Sequence, residues 1–110
     1  MNNVIKAKWV AALRSGEYQQ THRQLKDNND SFCCLGVLCD LHSKETNDRW
    51  SGDFYLGERG MLPKVVTKWA GLGHWHADQV KIGNKTDDLS EHNDSGATFL
   101  EIADAIENQL

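Results

Sequence analysis

Two tryptophans lie in polar segments of the chain, each next to a side chain that carries or can gain positive charge. Trp50 follows Arg49, and Trp75 is flanked by a histidine on each side. An exposed indole beside a cation can stack on a planar ligand or anchor a protein interface. The alternative is that these rings only pack their own loops. The candidate binding residues, all from these two loops and the strand-like triplet 54–56, are Arg49, Trp50, Tyr55, His74, Trp75 and His76.

Three cysteines and a histidine form the second group with chemical potential, at Cys33, Cys34, Cys39 and His42. Zinc needs four ligands that converge tetrahedrally. Cys39 and His42 can share one face of a helix, but adjacent residues diverge by about 100° on a helix of 3.6 residues per turn, so Cys33 and Cys34 do not both join them easily. We therefore favour buried thiols that act as small hydrophobes, with a metal site as the alternative, and expect no cofactor.

A nucleophilic thiol is a further alternative. Cys33 and Cys34 would lie in the first turn of a predicted helix, where the helix dipole favours a thiolate, and His22, His74 or His76 would serve as the base. This arrangement would suit a Cys-dependent hydrolase or a nucleotide-processing enzyme. The sequence has no Walker loop, dinucleotide-binding glycine pattern, nucleophile elbow or His-Glu-x-x-His motif, so a non-enzyme is favoured.

Helical periodicity and turn signals indicate the elements that position these residues. Apolar stripes predict helices over 3–13, over 62–70 with Val65, Val66, Trp69 and Leu72 as the stripe, and over 98–109, opened by the capping box Thr98 to Glu101. The apolar run 32–42 is predicted as a helix that Asp30 or Ser31 can cap, with a buried strand as the alternative. Short strands are predicted at 24–26, 54–56 and 80–82. Gly36 costs about 1 kcal/mol inside a helix, which predicts close packing of another element there. The predicted class is α+β: a single small domain over 1–110, about four helices packed with two or three short antiparallel strands.

The segment Asn93-Asp94-Ser95-Gly96 precedes the last predicted helix. It is typical of a turn that positions a helix start. The alternative is an anion site made by the free N–H groups of that helix. The acidic Asp94 disfavours phosphate at this position.

Charge and length exclude several classes of function. The 110 residues carry a formal net charge of −4, and no basic run exceeds two residues, so no sequence-specific DNA binding is expected. No apolar run approaches the roughly 20 residues of a membrane span, so no membrane association is expected. The odd, closely spaced cysteines and the absence of a signal-peptide pattern at the N-terminus predict a reduced, cytoplasmic protein.

Several motifs together cover nearly the whole chain. They are Lys8-Trp9, Leu13-Arg14-Ser15-Gly16, Tyr18-Gln19, Phe32-Cys33-Cys34-Leu35-Gly36-Val37-Leu38-Cys39-Asp40-Leu41, Leu62-Pro63, Trp69-Ala70-Gly71-Leu72, Leu89, Asn93-Asp94-Ser95-Gly96 and Phe99-x-x-Ile102-Ala103-Asp104-x-Ile106-Glu107. In this combination the chain resembles a group of small uncharacterised proteins encoded by tailed bacteriophages and prophages. Most of these positions fall on the predicted core stripes.

The resemblance implies a function in a bacterial host cell. Small acidic phage proteins without catalytic motifs often act by binding, which implies a non-catalytic inhibitor of a bacterial defence system in the host cytoplasm. Its partner would be a host protein or a small nucleotide-like signal held by Trp50, Trp75, Arg49 and His76. The alternatives are the small enzyme described above and an accessory phage structural protein, which could be a homo-oligomer.

Overall fold

The computed structural model describes residues 1–110 and contains five helices and six short strands. The helices are α1 (Asn3–Arg14), α2 (Cys34–Glu45), α3 (Lys64–Ala70), α4 (Leu89–Asp94) and α5 (Phe99–Gln109). The strands are β1 (Gln19–Gln20), β2 (Ser31–Phe32), β3 (Trp50–Ser51), β4 (Phe54–Tyr55), β5 (Gln79–Ile82) and β6 (Lys85–Asp88). They form three two-stranded pairs: β1–β2 is parallel, and β3–β4 and β5–β6 are antiparallel. The α+β class is confirmed, with one more helix than predicted, six short strands in place of two or three, and one parallel pair.

Helix α1 forms where the periodicity predicts it. Ile5, Trp9 and Leu13 are buried on one face, and this face packs most extensively against α5. The Asn2 side chain accepts hydrogen bonds from two free N–H groups of the first turn, which caps the helix. Beyond the last turn, Gly16 has a φ of 77°, a left-handed conformation that glycine adopts at little cost.

Helix α2 passes through the centre of the molecule, and its first six residues are all buried. A Cβ atom at Gly36 would lie 1.8 Å from the carbonyl oxygen of Leu25, so the predicted close approach is confirmed. The Trp9 indole Nε1 donates to the carbonyl of Cys34 over 3.0 Å. Helix α2 is therefore held between α1 and the 21–30 segment, and the Leu25 backbone leaves no room for a larger residue at Gly36.

The start of α2 differs from the prediction. Phe32 belongs to β2, opposite Gln20, and Cys33 is the N-cap in place of Asp30 or Ser31. Its Sγ accepts a hydrogen bond from the Gly36 N–H over 3.4 Å. Pairing of Phe32 with the preceding strand places the cap two residues later than the polar residues suggested.

Helix α4 ends in a buried amide that joins three segments of the chain. Asn93 is fully buried; its Oδ1 accepts from the Cys34 N–H (3.1 Å) and from Gln20 Nε2 (2.9 Å), and its Nδ2 donates to the Thr21 carbonyl (2.9 Å). Asp94 accepts the Arg23 N–H over 2.8 Å. Asn93 and Asp94 thus close α4 and hold the 20–23 segment. Of the predicted turn 93–96, only Ser95 and Gly96 form a turn, because Asn93 and Asp94 belong to α4.

Helix α5 begins at the predicted capping box. The Thr98 hydroxyl accepts from the Glu101 N–H (3.2 Å), and the Glu101 carboxylate accepts from the Thr98 N–H (3.0 Å). At its other end, the Gln109 amide accepts from the Lys81 N–H and donates to the Lys81 carbonyl, each over 2.7 Å. The β5–β6 hairpin is therefore attached to α5 through main-chain groups of Lys81.

The buried apolar side chains form one continuous cluster of 25 residues, to which all five helices and several strands and loops contribute. No helix has both the length and the apolar character that crossing a membrane requires.

Candidate functional site

The first group of candidate residues lies around the β3–β4 pair. Trp50 is directly opposite Tyr55 in this pair, with ring centroids 4.9 Å apart. Tyr55 is completely buried and Trp50 is half-buried, so neither ring forms an open stacking platform. The structure therefore removes Tyr55 from the candidate binding surface. Arg49 is exposed and forms no ion pair with a carboxylate.

Besides Tyr55, three side chains contact Trp50. Its indole Nε1 donates to Asp40 Oδ1 over 3.2 Å, and Lys26 Nζ lies 5.2 Å from the ring centroid. Phe32 meets the ring edge-on at 5.8 Å. Asp40 Oδ2 also accepts the Tyr18 hydroxyl over 2.6 Å. The cation beside Trp50 is thus Lys26 of the same chain, and these contacts stabilise the fold and do not form a ligand site.

A buried histidine continues this packing. His42 is 3% exposed; its Nδ1 lies 2.6 Å from the Tyr55 hydroxyl, and its ring packs edge-to-face on Trp69 at 5.0 Å. Burial lowers the pKa of His42, although the carboxylates of Asp48 and Glu45 oppose this, and burial raises the pKa of Tyr55 to about 12. Both groups are therefore neutral at pH 7. We call this set the aromatic cluster; its members are Tyr18, Phe32, His42, Trp50, Tyr55 and Trp69.

The three thiols are free and buried. Burial raises the pKa of the Cys33 thiol to about 11 and the pKa of Cys34 and Cys39 well above the ordinary value. The dipole at the start of α2 was expected to lower the thiol pKa, but desolvation of the buried thiols raises it by more. No group of three or more His, Cys, Asp or Glu side chains has a geometry that could hold a metal ion.

The second group of candidates, His74, Trp75 and His76, lies together in the connection between α3 and β5. Trp75 is 50% exposed. The His74 ring is stacked on it, with centroids 4.6 Å apart and planes inclined by 27°, and the His76 ring lies 5.4 Å from that of His74. The Trp75 Nε1 has no hydrogen-bond partner within the protein. The structure therefore brings these three predicted residues into one exposed aromatic stack, with no contact to Trp50.

Backbone hydrogen bonds hold this segment in place. The Trp75 carbonyl accepts the Leu62 N–H over 2.9 Å, and the His74 carbonyl accepts the Ala77 N–H over 3.0 Å. Ala77 adopts a left-handed φ of 64°, and its buried methyl group closes the turn against the core. Ser90 Oγ lies 3.4 Å from His76 Nδ1. The exposed indole is thus carried by a segment whose backbone is bonded to Leu62, just before α3, and whose His76 side chain contacts α4.

A groove of about 380 Å³ separates this segment from α3. We call it the Trp75 groove; its lining includes Glu58, Met61, Lys64, Lys68, His74 and Trp75. The volume falls within the usual range for small-molecule sites, roughly 300–1,000 Å³.

Sequence reasoning missed the α3 side of this groove. Val66 and Ala70 are the buried face of α3, whereas Val65, predicted to belong to the core stripe, is 50% exposed. Lys64 and Lys68 have the same four-residue spacing on the opposite face. The sequence shows this spacing of the two lysines, but only the fold shows that Trp75 lies on the other side of the groove.

Comparison with curated proteins and with solved structures finds no match. A family model described as a domain of unknown function, DUF8296, matches residues 1–110, the whole of the chain. The protein therefore belongs to the DUF8296 family.

Proposed function

We propose that this protein is a non-catalytic binding protein of phage type, which inhibits a bacterial defence system by sequestering a nucleotide-like signal in the Trp75 groove. The observation that carries the proposal is the half-exposed indole of Trp75, stacked on His74 at the edge of a groove of about 380 Å³. The resemblance to tailed-phage and prophage proteins supplies the biological context.

The arrangement of the stack supports a planar ligand. His74 packs on Trp75, so the indole plane is held before any ligand arrives. Pre-organisation of this kind lowers the entropy cost of binding. Stacking of a nucleobase on an aromatic side chain is worth about 1–3 kcal/mol and tolerates every base. The free Trp75 Nε1–H adds a donor for a ligand oxygen or nitrogen.

The state of the thiols supports binding over Cys-dependent catalysis. All three are buried, and their raised pKa values oppose the thiolate that nucleophilic attack needs. Binding alone is sufficient for inhibition, because a protein present in excess of its ligand lowers the free concentration of that ligand by mass action.

Native mass spectrometry of protein purified gently from bacterial cells tests the proposal. We expect a mass above that of the chain, lost on denaturation, with the mass of a nucleotide. Trp75→Ala should lose this ligand, whereas Leu100→Ala, which trims another exposed apolar side chain at 60% exposure, should keep it. If the wild-type protein carries no added mass and takes none up from a panel of nucleotides, the proposal is wrong.

A host protein is the second candidate partner, favoured by the exposure of Met61 (37%) next to Trp75 in the same groove. Aromatic residues and methionine are enriched at protein interfaces. In the same experiment, an added mass of protein size that Trp75→Ala abolishes would favour this partner over a nucleotide.

A further inference from the structure

Two lysines line the Trp75 groove on the α3 side. Lys64 and Lys68 are one helical turn apart, so their positions on the helix are separated by about 6 Å along its axis. Both are exposed, and neither forms an ion pair with a carboxylate of the protein. Six of the other ten lysines and arginines have such a partner, as Lys85 does with Asp87 and Glu91.

The charge of the groove is opposite in sign to that of the whole protein. The chain carries a net charge of −4, but in the groove the two lysines face a single carboxylate, that of Glu58. One lysine offsets Glu58, and the second leaves a local surplus of positive charge. A neutral planar ligand would need only the indole and would gain nothing from this surplus.

We infer that the Trp75 groove selects nucleotides that carry at least two phosphate groups, with the base on the Trp75–His74 stack and the phosphates at Lys64 and Lys68. This rests on the proposed function and names its ligand class. Lysine is a compact donor that binds phosphate as a point charge. Two lysines on successive turns provide two such points along one wall, which suits a diphosphate or a dinucleotide better than a single phosphate.

Isothermal titration calorimetry with adenosine, AMP and ADP, and with the guanosine series, tests this inference. We expect affinity to rise from nucleoside to monophosphate to diphosphate, with the diphosphate at least about tenfold tighter than the nucleoside. Lys64→Gln and Lys68→Gln should each weaken diphosphate binding roughly threefold to tenfold and leave nucleoside binding unchanged. Lys81→Gln, an equal loss of charge on β5 outside the groove, should have no effect.

The outcomes distinguish failure of the phosphate inference from failure of the proposed function. If the diphosphate binds no more tightly than the monophosphate or the nucleoside, or if Lys64→Gln and Lys68→Gln behave like Lys81→Gln, selection for two phosphates is overturned. Binding of nucleosides that Trp75→Ala still abolishes would then retain the proposed function. If no nucleoside or nucleotide binds to the folded wild-type protein, both are overturned together. Because the lysines are exposed, these variants are expected to fold, and thermal melts verify that.

Discussion

Trp50 and Trp75 have similar sequence surroundings and opposite structural roles. Each stands in a polar stretch of the sequence beside a basic or ionisable residue. Trp50 donates its Nε1–H to Asp40 and is packed within the aromatic cluster, whereas Trp75 is 50% exposed and its Nε1–H has no partner in the protein. The difference lies in what α2 supplies, since Asp40 is on that helix. A tryptophan whose ring and N–H both have partners in the core stabilises the fold, whereas Trp75, half-exposed and with its N–H free, is available to a ligand.

Helix α3 lies between the two regions. Trp69 packs on His42 in the aromatic cluster, while Lys64 and Lys68 on the same helix line the Trp75 groove. The cluster therefore positions one wall of the groove. Changes in the cluster are expected to lower stability first, and changes in the groove to alter binding with little effect on stability.

The largest effect is expected from Tyr55→Ala. Removing a fully buried ring leaves a cavity and should lower the free energy of unfolding by about 3–5 kcal/mol. Trp75→Ala, which removes a larger ring, should lower it by less than about 0.5 kcal/mol. Urea unfolding followed by circular dichroism measures both losses. If Tyr55→Ala does not fold, Tyr55→Phe, which removes only the hydroxyl group, is measured in its place. Equal losses for the two positions would contradict the distinction between the regions.

A smaller effect is expected from Asp40→Asn. The carboxylate accepts the Tyr18 hydroxyl and the Trp50 indole N–H, and an amide cannot accept both with the same geometry. The free energy of unfolding should fall by about 1–2 kcal/mol. Asp104→Asn is the matched control: its side chain is 68% exposed and pairs only with Arg14 at the surface, so its cost should stay below about 0.5 kcal/mol.

A third effect, from a single imidazole, is expected on lowering the pH. The pKa of His42 in the folded protein is lowered by burial, whereas in the unfolded chain it is near 6.5. Below about pH 6.5 the unfolded chain binds more protons, so stability should fall as the pH drops from about 7.5 to about 5.5. Urea midpoints across this range should decline less for His42→Gln than for the wild type. His22→Gln, at an exposed position, should leave the slope unchanged, and equal slopes for all three proteins would argue against a buried neutral His42.

The elements that could be predicted from the sequence are those whose signals are local. Helix α1 follows from its apolar periodicity, and α5 from that periodicity with the capping box Thr98 to Glu101. Helix α4 was not predicted, because it has only six residues, most of them polar, and its buried face depends on His92 and Asn93. His92 is buried because its Nε2 lies 2.8 Å from the Val80 carbonyl, a partner that no local pattern indicates.

The candidate site was only partly predictable for the same reason. The sequence placed His74, Trp75 and His76 together because they are contiguous. It could not show that hydrogen bonds with Asp40 and His42 hold Trp50 and Tyr55 in the aromatic cluster. Lys64 and Lys68 could not be predicted as site residues, because the sequence does not show that Trp75 lies opposite this exposed face of α3.

The contact between Gln109 and Lys81 has a consequence for how folded copies meet one another. A sheet of two strands has no interior strand, so both β5 and β6 are edges with main-chain groups free to pair with another polypeptide. The Gln109 amide occupies the donor and the acceptor of Lys81 as an adjacent strand would. At that residue another chain finds the outward main-chain groups already bonded, so the end of α5 protects the middle of the β5 edge from pairing with a second copy.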